Sequence, residues 1–153
     1  LLVEVQALVT SSSSIGMPRR MSAGFDHNRT SLLVAIMEKR LGLNLQGEDI
    51  FINIAGGLRI SEPAVDMGVA AAIAGSFRNR SVDPHTVMIG EVGLTGEVRS
   101  VMQLEARLTE AERLGFKRCI VPHSIKDDRL INKNALLKLV PVKTLSDAFD
   151  AVF

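Results

Sequence analysis

Apolar and polar residues alternate most strictly over residues 49–55, where Ile50, Ile52 and Ile54 share one face and Phe51 and Asn53 the other. A period of two in β-branched residues predicts a half-buried strand. Earlier in the chain, Leu33, Ile36, Met37 and Leu41 recur at helical spacing. Asp26, Asn28 and Thr30 supply capping side chains at the start of that run and Gly42 follows its end, so a helix is expected from about residue 26 to about residue 40. Residues 1–10 read as a strand, the serine-rich stretch 11–18 as a loop and residues 19–25 as a return strand, together an initial hairpin. After the strand at 49–55, Gly56-Gly57 turns the chain, residues 58–61 form a loop, and Pro63 suits the first turn of a helix. That helix, 64–77, is apolar nearly all round, which predicts burial.

The second patterned unit centres on residues 90–99, Gly-Glu-Val-Gly-Leu-Thr-Gly-Glu-Val-Arg. Its three glycines separate Val87-Met88-Ile89 from Glu97-Val98-Arg99, so a strand, a glycine hairpin and a short returning strand are predicted. Residues 103–114 follow as an amphipathic helix with Leu104, Leu108 and Ala111 on one face and Gly115 as its cap. Strands are expected at 118–122 and 139–142, and a last helix starts at Ser146 as its cap and runs to about Val152. The unit from 49 to 77 is expected to pack against the hairpin unit. Helices alternating with strands after an initial hairpin argue for a mixed α/β domain.

The 153 residues are of single-domain length and 46% hydrophobic, enough for a real core. A net charge of +1 gives no global argument for a polyanionic partner, so any nucleic-acid reading rests on where the arginines fall. Cys119, the single cysteine, lies in the run Arg118-Cys119-Ile120-Val121 and reads as a buried strand thiol; a chain without an internal disulfide fits a reducing cytoplasm. The longest apolar run, 64–74, carries Asp66 and is too short to span a bilayer, and no secretory signal opens the chain, so a cytoplasmic location and no membrane partner are expected. The start at Leu1, directly in strand-like alternation, suggests a segment of something longer. Neither glycine turn has the lysine and hydroxyl of a phosphate-binding loop. His27, His85 and His123 have no partner at metal-ligand spacing and read as loop or surface residues.

The order of strand, Gly-Gly loop, Pro63, buried small-residue helix, Gly-Glu-Val-x-Leu-x-Gly-x-Val hairpin and helix resembles the proteolytic domain of Lon proteases, over nearly the whole chain. The ending Gly115-Phe116-Lys117-Arg118-Cys119-Ile120-Val121-Pro122 matches the same pattern. The resemblance implies an α/β (α+β) Lon-type, ribosomal-protein-like sandwich of mixed sheet and helices, in one domain over residues 1–153. Lon-type peptidases pair a serine with a lysine whose lowered pKa lets it take the hydroxyl proton. The serine position corresponds here to Asp66 and the lysine position to Glu105, and no lysine occurs between Lys39 and Lys117. The peptidase pair is therefore degenerate, and no catalytic residue is assigned. Asp66 and Glu105 read instead as carboxylates in first helical turns, favoured by the helix dipole, and Ser61 as a loop serine without a base.

A Lon-like domain lacking the pair, with Arg19-Arg20 after the serine loop, Gly56-Gly57-Leu58-Arg59 and the hairpin ending in Arg99, resembles the C-terminal domain of the bacterial RadA (Sms) DNA-repair family. That resemblance implies a longer parent with an upstream four-cysteine zinc motif and a RecA-like ATPase, acting as a hexameric DNA motor in recombination and branch migration. ATP, magnesium and zinc would belong to the parent, with none in this domain. Double-stranded DNA, further copies of the chain in a hexamer and, through the parent, a recombinase filament are the implied partners. Arg19, Arg20, Arg29, Arg59 and Arg99 fall on predicted loops or element ends and are the expected DNA contacts. Arg78 and Arg80 read as exposed helix-end charges. With six phenylalanines and neither Trp nor Tyr, backbone contact to duplex is favoured over base stacking. The competing readings are an oligomerisation scaffold without DNA contact and an active serine–lysine peptidase.

Overall fold

The computed structural model describes residues 1–13, 16–124 and 136–153. Strand β1 (Val5–Ser11), strand β2 (Arg20–Ala23), helix α1 (His27–Leu41) and strand β3 (Glu48–Ile54) come first. A 3-10 turn (Pro63–Val65) leads into helix α2 (Asp66–Arg78). There follow β4 (Thr86–Met88), β5 (Glu91–Val92), β6 (Val98–Arg99), helix α3 (Leu104–Arg113), β7 (Arg118–Pro122), β8 (Lys138–Val142) and helix α4 (Leu145–Val152). The chain is thus mixed α/β, and the strands of the described residues lie in three small sheets ordered β1-β3-β2, β4-β7-β8 and β5-β6.

The expected strand at 49–55 holds the centre of the first sheet. Ile50, Ile52 and Ile54 are buried while Asn53 is exposed, as the alternation requires. The expected initial hairpin is not formed. β1 runs antiparallel to β3 (Val5 opposite Ile54) and β2 runs parallel to it (Ala23 opposite Asn53), so β3 separates the two. The reason is physical: β3 carries the most apolar face and gains most from two neighbours, and α1 supplies the crossover that a parallel β2–β3 pair needs. Helix α1 begins and ends as its sequence signals. The Asp26 carboxylate accepts from the Arg29 N–H at 3.2 Å, and Gly42 closes the helix at φ 70°, a left-handed conformation.

Two cores result. Leu33, Ile36 and Met37 of α1, the β3 isoleucines, Met67, Ala70 and Ile73 of α2, and Leu145 and Phe149 of α4 fill the larger one. Val87, Ile89, Leu108, Ala111, Cys119 and Val121 fill the smaller. β7 serves both, because Ile120 faces the first while Cys119 and Val121 face the second, which is why residues 119–121 are all apolar. Burial pushes the Cys119 thiol up to about 12, so it is an inert core residue.

The glycine hairpin exists, but its arms differ from the expected ones. β5 and β6 pair antiparallel, Val92 opposite Val98 and Glu91 opposite Arg99, whereas Val87 lies in the other sheet opposite Cys119. The chain changes sheets at Gly90, whose N–H bonds the Ala64 carbonyl at 3.0 Å and whose carbonyl accepts the Met67 N–H at 3.1 Å. A Cβ there would sit 2.8 Å from Val98 Cγ1 and 3.1 Å from Met67 Cε, so only glycine lets the hairpin approach α2 this closely. At α4 the cap is Thr144 rather than Ser146: its hydroxyl accepts the Asp147 N–H at 3.1 Å, and Ser146 falls inside the first turn. Among the described residues no helix is long and apolar enough to cross a membrane.

Candidate functional site

Asp66 is the first residue of α2 and is fully buried. A carboxylate in such a place needs compensation, and Arg29, from the first turn of α1, provides it. Arg29 Nε donates to Asp66 Oδ1 at 3.0 Å, and Arg29 Nη2 ion-pairs with Asp66 Oδ2. Oδ2 also accepts the Val92 N–H at 3.1 Å, and Arg29 Nη2 reaches the Val92 carbonyl at 3.1 Å. One ion pair therefore fastens α1, α2 and the hairpin strand β5 together. Its hydrogen bond with Asp66, and then the carboxylate's charge, holds the Arg29 guanidinium above its already high range, with burial opposing. The Arg29 side chain retains 27% exposure.

Glu105 lies in the first turn of α3 and is exposed. Ser61 is exposed in the loop before Pro63. An open cleft of about 1310 Å³ runs between β1, α2, β4 and α3, bordered by Ala64, Gly68 and Ala106 and crossed at its rim by the Glu62–Arg107 ion pair; Asp66 and Glu105 do not line it. Asp66 is thus closed off from solvent, its carboxylate held by a guanidinium. Among the described residues no group of three or more His, Cys, Asp or Glu side chains is placed to hold a metal ion.

The five arginines expected to contact DNA fall into three settings. Arg19 precedes β2 and Arg20 opens it. Arg19 donates its backbone N–H to Asp49 Oδ1 at 2.7 Å and its Nη2 to Oδ2 at 3.2 Å, and lies 5.6 Å from the Phe51 ring, with its side chain still 59% exposed. That backbone N–H first, and the guanidinium with it, keeps the buried Asp49 carboxyl below its usual range. Arg20 is half-buried, with Nη2 on the Leu45 carbonyl at 3.1 Å and Nη1 buried without a partner. Arg29 is the ion-paired residue just described. Arg59 and Arg99 are exposed, and among the described residues neither is in an ion pair. The sequence reading missed the Arg29–Asp66 pair. A signal was present: a lone carboxylate inside the run 64–74, apolar on all sides, demands a cation from elsewhere in the chain.

An α/β domain with a buried Arg–Asp joint and exposed arginines is what the fold and the site define, and comparison places it among known proteins. A family model described as Subunit ChlI of Mg-chelatase matches residues 5–125. The chain is 50% identical over 149 residues to the DNA repair protein RadA of Halalkalibacterium halodurans, covering 97% of this chain and 32% of the relative. It is 54% identical over 122 residues to the DNA repair protein RadA of Bacillus subtilis (80% of this chain, 26% of the relative) and 49% over 142 residues to that of Synechocystis (93% and 27%). The chain belongs to the family of the matching model and to the RadA (Sms) family. It spans about a third of the length of the curated relatives it matches.

Proposed function

We propose that the chain is a non-catalytic, Lon-type domain of a longer bacterial DNA-repair protein, contributing double-stranded DNA contact and self-assembly. The observation that carries the reading is the Arg29–Asp66–Val92 joint: where the Lon resemblance puts a nucleophile, this chain has a buried carboxylate with all its oxygens engaged. That position now holds the hairpin in place. The hairpin in turn presents Arg99, and the Gly56-Gly57 turn precedes Arg59; both guanidinium groups are exposed and available to phosphates. Arg19, Arg20 and Arg29 support this surface by fixing β2, α1 and β5, with Arg19 close enough to solvent to add a contact.

DNA as the ligand follows from the relatives' name, DNA repair protein RadA. A hexameric assembly, an ATP-dependent branch-migration motor with zinc and magnesium in its other parts, a recombinase partner and a cytoplasmic setting are the parts of the proposal that rest on the resemblance alone. The experiment pairs two assays on the same preparation: release of peptides from casein, and electrophoretic retardation of a labelled duplex at low salt. The proposal expects no peptide release and a retarded duplex. Peptide release that survives removal of every serine-reactive contaminant overturns the non-catalytic reading, and an unretarded duplex with intact self-assembly leaves the scaffold reading in its place.

A further inference from the structure

The open cleft beside α2 is walled by two strand edges. β1 and β4 are each the outermost strand of their sheet, and residues of both line the cleft. At one end of β1 the Glu4 carbonyl accepts the Ala55 N–H at 3.0 Å, and at the other Ser12 donates its N–H to the Gly47 carbonyl at 2.9 Å. Those bonds set the phase of the ladder: even-numbered residues exchange hydrogen bonds with β3, and Val5, Ala7 and Val9 direct their main-chain groups away from it. The Val9 N–H meets Ser76 Oγ of α2 at 2.9 Å, whereas Val5 and Ala7 line the cleft. β4 is arranged alike. The Ile89 N–H reaches the Ile120 carbonyl at 3.0 Å and the His85 carbonyl accepts the Arg118 N–H at 3.2 Å, so Met88, out of phase with both, directs its main-chain groups away from β7.

The floor between these edges is uncharged and low, formed by Ala64, Gly68, Ala71 and Ala72. A Cβ built on Gly68 would meet nothing within 4 Å outside the adjacent turns of its own helix, whereas one on Gly75 would stand 2.7 Å from the Arg80 carbonyl. Glycine inside a helix is destabilising relative to alanine. Packing requires it at Gly75, and among the described residues nothing requires it at Gly68. Its effect there is to leave depth for a main chain to pass close over α2. The carboxylates at the rim are engaged: Glu62 pairs with Arg107, Glu4 Oε1 accepts from Gln6 Nε2 at 3.1 Å, and Asp83 Oδ1 accepts the His85 N–H at 2.7 Å. Arg80, just past the end of α2, is exposed and among the described residues in no ion pair. An uncharged floor does not suit a polyanion, which brings a phosphate at every step. It suits a peptide, charged only where its side chains are, and Arg80 complements an acidic one.

We infer that this cleft binds an extended peptide segment of a partner protein by strand addition between the edges of β1 and β4, with small residues toward Gly68 and an acidic side chain toward Arg80. Main-chain hydrogen bonds at Val5, Ala7 and Met88 supply affinity, and the low floor selects the side chains. The inference goes beyond the DNA reading and does not depend on it. The test titrates the chain into a labelled peptide, Asp-Val-Ala-Val-Ala-Val-Asp, and follows its anisotropy, beside a copy N-methylated at alternate residues, which cannot donate along one edge. The variant Gly68→Leu raises the floor at a position where a Cβ meets nothing, and its urea midpoint is expected at or above that of wild type. Saturable binding is expected for wild type, with affinity lower by about tenfold or more for the methylated copy and for Gly68→Leu, a smaller loss for Arg80→Gln, and duplex retardation by Gly68→Leu unchanged. No saturation up to about 1 mM peptide, or an affinity that neither N-methylation nor Gly68→Leu lowers, overturns the inference and leaves the DNA reading standing. A folded Gly68→Leu chain that loses duplex retardation together with the peptide makes the cleft a nucleic-acid groove, and overturns it as well.

Discussion

Arg29 and Arg99 attach to the same hairpin and have opposite surroundings. Arg29 reaches β5 from α1, gives its guanidinium to a fully buried Asp66 and to the Val92 carbonyl, and keeps only a quarter of its side chain in solvent. Arg99 sits on β6, exposed, with Glu91 across the strand pair and no ion pair among the described residues. The difference lies in desolvation. A buried guanidinium and carboxylate have already lost their water and depend on one another, so Arg29 is a structural joint. An exposed guanidinium keeps its hydration and exchanges it readily for a phosphate. Arg19 stands between the two, more than half exposed yet bound to the buried Asp49.

The largest expected effect breaks the joint. Asp66→Ala leaves Arg29 facing a void and the Val92 N–H unpaired, and urea unfolding is expected to show a loss of about 3–5 kcal/mol. A loss under about 1 kcal/mol contradicts a structural role for the pair. Next comes Gly90→Ala, which drives a methyl group into Val98 and Met67 at the point where the hairpin meets α2; overpacking of this kind costs about 1–3 kcal/mol, read from the same denaturation curves. A midpoint equal to wild type would mean that the hairpin is free to shift.

A smaller effect depends on pH. Asp49 has a folded pKa depressed by the Arg19 N–H and guanidinium. Its contribution is therefore fully present above the unfolded aspartate pKa of about 3.9 and fades as pH falls through the lower folded value. Asp49→Asn is expected to lose stability at pH 7 and to show a flatter decline below about pH 4; thermal unfolding between pH 2 and 7 checks it, and an acid limb as steep as wild type's counts against the assignment. Smallest of all is the stability effect of Arg99→Ala, expected within about 0.5 kcal/mol of wild type.

The same contrast marks what was legible in the sequence. Helix α1 and strand β3 were readable because each repeats its own period, with Asp26 and Gly42 capping α1; α2 was readable as an apolar run after Pro63 and α3 as an amphipathic run before Gly115. Strand pairing was not, because nothing local in residues 5–11 and 20–23 says that a later and more apolar strand will come between them. Likewise Val87 and Val98 look like two arms of one hairpin until Gly90 moves the chain from one sheet to another. The Lon resemblance drew attention to Asp66, but the partner that explains its burial is 37 residues away.

The division between a structural and a binding arginine is tested most directly by fluorescence anisotropy of a labelled duplex across a salt series, wild type beside a variant with Arg59 and Arg99 both changed to alanine. The account predicts a log–log salt slope smaller in magnitude by about 1.8 in the variant, with an unchanged urea midpoint. Equal slopes in the two proteins, both folded, would contradict it.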